Sequence, residues 1–433
     1  MSDEEKEKFS KSYCPLAWTH NFINQDGSYQ VCCTSEEFDN HIRDDQGKKI
    51  FISDLVTSKE VMNTNFMKDI RKKMMDGKWP ALCKRCLITE NHGGISRRNI
   101  EIDNYSEDNV SFLESTNEDG STTAPITSAD YRLGNLCNLQ CRMCNPRSTK
   151  LWIKEWNDMK PQRETFDKET MESYEEYFWI DSERLIQDVE EKAATLTHLH
   201  FAGGEPLLVP QMSKILQTCI EADSAKNITI TYNTNMTILP KKVLELWKSF
   251  KSVKILASVD AVGDLNNYIR YPSKWSKIHE NFHFIDQHHE EYNITECMVS
   301  TTVQILNILR MEELYEYLEQ FKFIVPTPNL INVHVPTYFK STYLPPELKE
   351  IASEKLVRIK AKYEAILPDH YLYLTDNIQQ IINFMNSEDE YIIPNDESTQ
   401  EERGFKEFIS FQKKFDQDRK LDLFSFFPEF LKY

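Results

Sequence analysis

The chain has 433 residues, 40% of them hydrophobic and 12% aromatic, enough to bury a substantial core over two or three domains and too many for a disordered chain. A formal net charge of −18 disfavours a broad nucleic-acid-binding face, because phosphate binding needs clustered Lys and Arg. No stretch is long and apolar enough to span a bilayer, and the charged start Met1-Ser2-Asp3-Glu4-Glu5-Lys6-Glu7-Lys8 lacks the apolar core of a signal peptide, so a cytoplasmic protein without membrane or nucleic-acid partners is expected.

In chain order, residues 18–32 read as a hairpin, with Thr19 to Asn24 and Tyr29 to Cys32 joined by a turn at Gln25-Asp26-Gly27. A helix follows, with Met62, Phe66, Ile70 and Met74 recurring every four residues; Gly77 suits its C-terminus and Pro80 stops it. The pair Cys83-x2-Cys86 comes next. The basic strip Arg71-Lys72-Lys73 reads as a solvated helix face. Gly93-Gly94 before Arg97-Arg98 reads as a solvated turn, with an anion cradle as the alternative. Residues 101–126 are acidic and rich in Ser, Thr and Asn, which predicts a linker.

From residue 127 onward strand-like and helix-like runs alternate. Expected strands are Tyr131 to Leu136, Leu196 to Phe201, Ile228 to Asn233, Val253 to Val259, Ile294 to Val303 and Leu330 to Val335. Amphipathic segments such as Glu183 to Ala193 and Met212 to Glu221 separate them, so about six β/α units and a parallel α/β sheet are expected. Motifs at the C-terminal ends of strands would then stand where β/α barrels place their active sites. In the tail, Phe405, Phe408, Phe411 and Phe415 at helical spacing read as core or docking contacts. The expected divisions are a cysteine-rich domain (1–100), the linker (101–126), a barrel (127–345) and a helical extension (346–433).

Ten cysteines in a reducing compartment argue against disulfides, and eight of them fall in two groups, which points to metal. Cys219 and Cys297 are the outliers and suit buried thiols. Cys137, Cys141 and Cys144 crowd onto one short loop with spacing Cys-x3-Cys-x2-Cys. A structural zinc site prefers four protein ligands, usually as two pairs, whereas three thiolates on a loop suit an iron–sulfur cube with one iron left open. Only 11 glycines occur, so the adjacent pair Gly203-Gly204, closing a strand-like run, marks a sharp turn or a close backbone approach. His198 and His200 share one face of that strand and read as packing or barrel-lining residues.

The segments Leu133-Gly134-Asn135-Leu136-Cys137-Asn138-Leu139-Gln140-Cys141-Arg142-Met143-Cys144 and Phe201-Ala202-Gly203-Gly204-Glu205-Pro206 resemble the radical S-adenosylmethionine (radical SAM) enzymes. The resemblance covers residues 127 to about 340 and implies a partial (β/α)6 barrel. It implies that Cys137, Cys141 and Cys144 hold a [4Fe-4S] cluster whose open iron chelates SAM, with Gly203, Gly204 and Glu205 at the SAM amino group. Asn235 falls in a segment similar to the family's Thr-Asn strand end. Ser258 and Asp260 are similar to its Ser-x-Asp segment and are expected at the ribose or carboxylate, as is Arg270; capping of the next helix is the alternative for the Ser and Asp. Met143 stands where the family usually has an aromatic residue near adenine.

Cys14, Cys32, Cys83 and Cys86 resemble the ligands of a twitch or SPASM auxiliary-cluster domain, here before the barrel rather than after it. A zinc ribbon is the alternative, and Cys33 is the spare thiol, Cys32 being favoured on spacing. The implied chemistry is reductive cleavage of SAM and abstraction of a hydrogen atom from a substrate, with electrons from a donor such as flavodoxin or ferredoxin. A peptide or protein substrate is expected. A sugar, nucleotide or other small molecule is the alternative, as is a zinc-binding module without turnover.

Overall fold

The structure is a computed structural model and describes residues 11–35, 41–54, 56–91, 94–105, 109–159, 178–334, 336–387 and 400–433. Its strands are β1 (His20–Ile23), β2 (Tyr29–Gln30), β3 (Ser128–Arg132), β4 (His198–Ala202), β5 (Thr229–Thr234), β6 (Ser252–Ser258), β7 (Ile294–Val303) and β8 (Asn329–Asn332). They form one mostly parallel sheet in the order β2-β1-β3-β4-β5-β6-β7-β8, with helices between successive strands from β3 onward. Strands β3 to β8 are the six units of the expected partial barrel. β7 has the expected bounds. β3 starts and ends earlier than 131–136, because Gly134 takes φ +66° and its N–H folds back onto the Arg132 carbonyl at 2.6 Å.

The chain folds as two compact units, and these are drawn differently from the divisions expected at 100, 126 and 345. The first comprises 1–136, 172–232 and 241–253. In it β1 and β2 pair antiparallel, Phe22 opposite Gln30, around a turn in which Gly27 has φ +83°; a Cβ there would press into the Trp179 ring at 2.7 Å. β1 then lies parallel to β3, His20 opposite Ser128 and Tyr131 opposite Ile23. The N-terminal module is therefore part of the same sheet and not a separate layer.

The helix Asn65–Met75 starts with Thr64 accepting from the Met67 N–H and ends before Gly77 at φ +68°. Its buried face is Met67, Ile70, Arg71 and Met74 rather than the expected Met62, Phe66, Ile70 and Met74. Met62 belongs to a preceding short helix, Ser58–Met62, which breaks the period. Arg71 is not solvated as the basic strip suggested. It is fully buried and donates to the carbonyls of Gly120 (2.7 Å), Ala17 (2.8 Å) and Met62 (2.5 Å). The same contacts correct the linker expectation. Asn109–Glu114 is helical, Thr116 bridges Thr122, and Gly120 closes a turn seated on the 65–75 helix.

On one face of the first unit's strands, Tyr131, Phe201 and Tyr232 stack in a row, with centroids 6.2 and 5.4 Å apart, and Trp247 donates to the Tyr232 hydroxyl at 3.1 Å. Beneath them Asp188 is fully buried; it accepts from Lys192 Nζ at 2.6 Å, Tyr131 Oη at 2.8 Å, Tyr29 Oη at 3.4 Å and Ser58 Oγ. Residues from the N-terminal module and from the barrel thus share one buried carboxylate.

The second unit comprises 137–171, 233–240 and 254–433. β7 and β8 pair parallel, Ser300 opposite Asn329. Its long C-terminal helices include Pro346–Glu364, Tyr373–Met385 and Gln400–Arg419. In the last, Phe405, Phe408 and Phe415 are buried and Phe411 stacks on Tyr338 at 4.1 Å. Gly404 lies against the Tyr343 ring so closely that no Cβ fits. Among the described residues no helix is long and apolar enough to cross a membrane.

Candidate active site and metal centres

In the second unit the loop 137–144 gathers its three cysteines. Cys141 is buried, Cys137 and Cys144 half-buried, and all are free thiols. A hydrogen bond from Cys144 holds the Cys141 thiol below its ordinary value and pushes that of Cys144 well up, with Cys137 adding to the latter. Cys137 Sγ accepts from the Leu139 N–H at 3.4 Å and from Asn235 Nδ2 at 3.8 Å. Asn235 also donates to Asn138 Oδ1 at 2.9 Å, and its own Oδ1 is held by Thr237 N (3.0 Å) and Oγ1 (2.6 Å). Asn138 and Thr237 belong to this arrangement although no motif marks them; adjacency to Cys137 and to the Thr-Asn strand end is the only signal they carry.

Arg270 stands close enough to Cys141 and Cys144 to favour their thiolates. Its charge is balanced by Asp260, with Nε 2.7 Å from Oδ2, an ion pair whose angle falls outside hydrogen-bond geometry. Asp260 is fully buried and its Oδ1 accepts from the Thr302 N–H at 2.8 Å. Burial raises its pKa despite Arg270. Asp260 and Arg270 thus pair with one another, and both act on Cys141, Arg270 favouring its thiolate and Asp260 opposing it. Ser258 closes β6 half-buried, and Met143 is half-buried on the loop.

In the first unit, Gly203 (φ +119°) and Gly204 end β4 against the backbone of 133–136. A Cβ on Gly203 would come within 2.9 Å of the Gly134 carbonyl oxygen, and one on Gly204 would overlap the Leu136 carbonyl. The Glu205 N–H donates to Leu136 O at 2.8 Å, and its fully buried side chain accepts from the Leu207 N–H at 3.1 Å. The glycine pair is thereby required by backbone packing beside the residue that precedes Cys137 in sequence. On the strand face opposite Tyr131, Asp130 accepts from His200 Nδ1 (2.8 Å) and lies 3.3 Å from Arg132 Nε, while His20 meets Ser128 Oγ at 2.8 Å. Burial lowers the His20 pKa to about 4.

The N-terminal Cys14, Cys32, Cys83 and Cys86 line one cavity together with Leu16, Val31 and Met74. Thr34 Oγ1 lies 3.2 Å from Cys32 Sγ and 4.0 Å from Cys86 Sγ. Cys33 does not line this cavity, and burial pushes its thiol up to about 11. Among the described residues no group of three or more His, Cys, Asp and Glu side chains is arranged to hold a metal ion. Of the Gly93-Gly94 turn, Gly93 lies outside the described residues, while Arg98 is committed to Glu90 (2.5 and 2.9 Å) and the Tyr13 carbonyl (2.9 Å).

Residues 131–318 match the family model of the radical SAM superfamily. No curated protein matches the chain. Among solved structures it is similar to native anSMEcpe with bound AdoMet and Cp18Cys peptide (16% identity, TM-score 0.37, covering 55% of this chain and 60% of that one). It is also similar to Streptococcus suis SuiB bound to precursor peptide SuiA (15% identity, TM-score 0.34, covering 68% of this chain and 60% of that one). The chain therefore spans about three-fifths of the length of these structures. By the family match, and with its three cysteines on the loop that follows β3, this chain carries a radical SAM domain over residues 131–318.

Proposed function

We propose that the protein is a radical SAM enzyme in which Cys137, Cys141 and Cys144 hold a [4Fe-4S] cluster with one iron open to S-adenosylmethionine. The observation that carries this reading is the presence of three thiols on one loop of the second unit, with the Arg270 cation and the Asn235 amide donor beside them. When bound, cluster and SAM supply one-electron cleavage of the sulfonium and, through it, hydrogen-atom abstraction from a substrate.

The chain's own part is to bind and orient. Arg270 offsets the negative charge of the thiolates, and Asp260, anchored by the Thr302 N–H, fixes Arg270. Asn235 steadies Cys137, and Trp152 Nε1 holds the Cys141 carbonyl at 2.9 Å. Gly203, Gly204 and Glu205 are assigned to the SAM amino group, with Ser258 and Met143 at its ribose and adenine.

The N-terminal Cys14, Cys32, Cys83 and Cys86 are assigned to an auxiliary cluster, supported by the four thiols lining one cavity. The zinc reading keeps the same four ligands and predicts that this site adds neither iron nor colour to that of the loop cluster. A flavodoxin- or ferredoxin-type donor would supply electrons in the cytoplasm. For substrate we favour a polypeptide, because modules like the N-terminal one accompany enzymes that modify peptides and proteins; a sugar, nucleotide or other small molecule is the alternative.

Anaerobic reconstitution tests the reading. Iron and sulfide are counted, and 5′-deoxyadenosine is measured after reduction. Cys141→Ala should abolish SAM cleavage and leave the N-terminal metal in place. Cys83→Ala should lower iron by about four atoms. Retained cleavage in the first variant removes the loop from the reaction; unchanged iron in the second, with zinc present, establishes the ribbon instead.

A further inference from the structure

The side chain between the second and third loop cysteines, Arg142, does not face outward. It is fully buried, and every edge of its guanidinium is spoken for within the second unit. Nε donates to the Tyr268 carbonyl at 2.9 Å, Nη1 to Gln412 Oε1 at 2.7 Å and Nη2 to Asp416 Oδ1 at 2.5 Å. The group also lies over the Tyr268 ring, 3.6 Å from its centroid. Asp416 is in turn fixed by the Tyr268 hydroxyl (3.1 Å) and the Leu423 N–H (2.6 Å). Both Gln412 and Asp416 lie on the helix Gln400–Arg419, some 270 residues away in sequence.

A second tie joins the same two segments. Gln140 Nε2 donates to Glu155 Oε2, which also accepts from Arg419 Nη2 at 3.0 Å. Arg419 spreads over Trp152, Tyr271 and Phe415 at 4.7–5.3 Å. The loop backbone is meanwhile pinned by Gln140 N–H to Tyr271 O (2.6 Å) and Arg142 N–H to Ile269 O (2.9 Å).

A buried guanidinium is costly unless its donors are matched, and a planar fork matched on three sides has one orientation. The backbone of Arg142 is therefore fixed by a helix remote in sequence, and with it the directions in which Cys141 and Cys144 leave the chain. We propose that the C-terminal helix Gln400–Arg419 is a positioning element for the cysteine loop, with Gln412 and Asp416 acting through Arg142 to set the placement of Cys141 and Cys144. The consequence for the cluster rests on the function proposed above; the effect on the loop does not.

The test uses the full chain in two states. In the metal-free protein, hydrogen exchange is followed in peptides covering residues 137–152. Asp416→Asn should speed exchange there at least tenfold, and Gln412→Ala, which keeps the ion pair and the fold, should do so to a lesser degree. In reconstituted, reduced protein the resonance of the loop cluster, identified by its loss in Cys141→Ala, should shift in line shape in both variants while the N-terminal signal stays unchanged. Phe408→Leu, on the same helix but packed on Phe339, Phe405 and Phe430, should lower the melting temperature and leave both readouts unmoved. Unchanged exchange and unchanged resonance in Asp416→Asn or Gln412→Ala overturn the proposal, as does equal loosening by Phe408→Leu. If Cys141→Ala loses no iron, the cluster assignment fails, and the exchange measurement still decides the clamp.

Discussion

Replacing Lys192 by Met isolates the carboxylate that joins the N-terminal module to the barrel. Asp188 has no exposure to solvent and takes four donors, of which Lys192, at 2.6 Å, carries the positive charge. Lys192→Met fills a similar volume and leaves the carboxylate buried among hydroxyls. Breaking a buried pair in this way costs about 3–5 kcal/mol, and at about 2–4 °C per kcal/mol for a unit of this size the melting temperature should fall by roughly 6–20 °C. Urea denaturation of the metal-free protein gives the free energy directly. The companion Lys192→Met/Asp188→Leu should recover most of the loss, because it removes the stranded charge as well. Acid sharpens the comparison. Burial alone would raise the pKa of Asp188, but Lys192 outweighs it and holds it low. The wild-type contribution is therefore present above an unfolded value of about 3.9 and is lost as pH falls through the lower folded value. In Lys192→Met that lowering is gone, so the deficit against wild type should shrink below pH about 4. A loss under about 1 kcal/mol in the single variant, or a double variant as unstable as the single one, would refute the reasoning.

Two further outcomes follow from positions in the first unit. Gly204→Ala places a Cβ on the Leu136 carbonyl and should cost about 1–3 kcal/mol with weakened SAM binding; a variant of wild-type stability and affinity contradicts the packing described. His20, with a folded pKa of about 4 against an unfolded value near 6.5, binds its proton less readily when folded, so stability is full above about 6.5 and declines towards pH 4 by up to about 3 kcal/mol. His20→Asn should flatten that part of the pH–stability profile, and an unaltered slope assigns the titration to another group.

The sequence is most informative where function restricts residue type. Cysteine spacing marks the loop, the paucity of glycine marks Gly203-Gly204, and strand periodicity locates β7 to the residue. It is least informative where a long-range partner decides. The mixture of Ser, Thr and Asn at 115–122 reads as solvent-facing, yet the Gly120 carbonyl is what satisfies buried Arg71, and nothing within a short window announces a partner 49 residues away. Arg142 is the same case within the site: a cation between cysteines looks like a surface residue until Gln412 and Asp416 are brought to it by the fold. Asp260 and Arg270 both stand out in the sequence, but their pairing with each other follows from the burial of both, which strand-end position does not reveal.

Because β1 runs alongside β3, the cysteine-rich segment shields what would otherwise be the open margin of the parallel sheet. A fragment beginning near residue 127 would bare the backbone amides and carbonyls of 128–131 to any passing strand, an invitation to aggregate. Expressing the two halves separately is thus the wrong way to test either half for metal; ligand-by-ligand substitution in the intact chain is the right one.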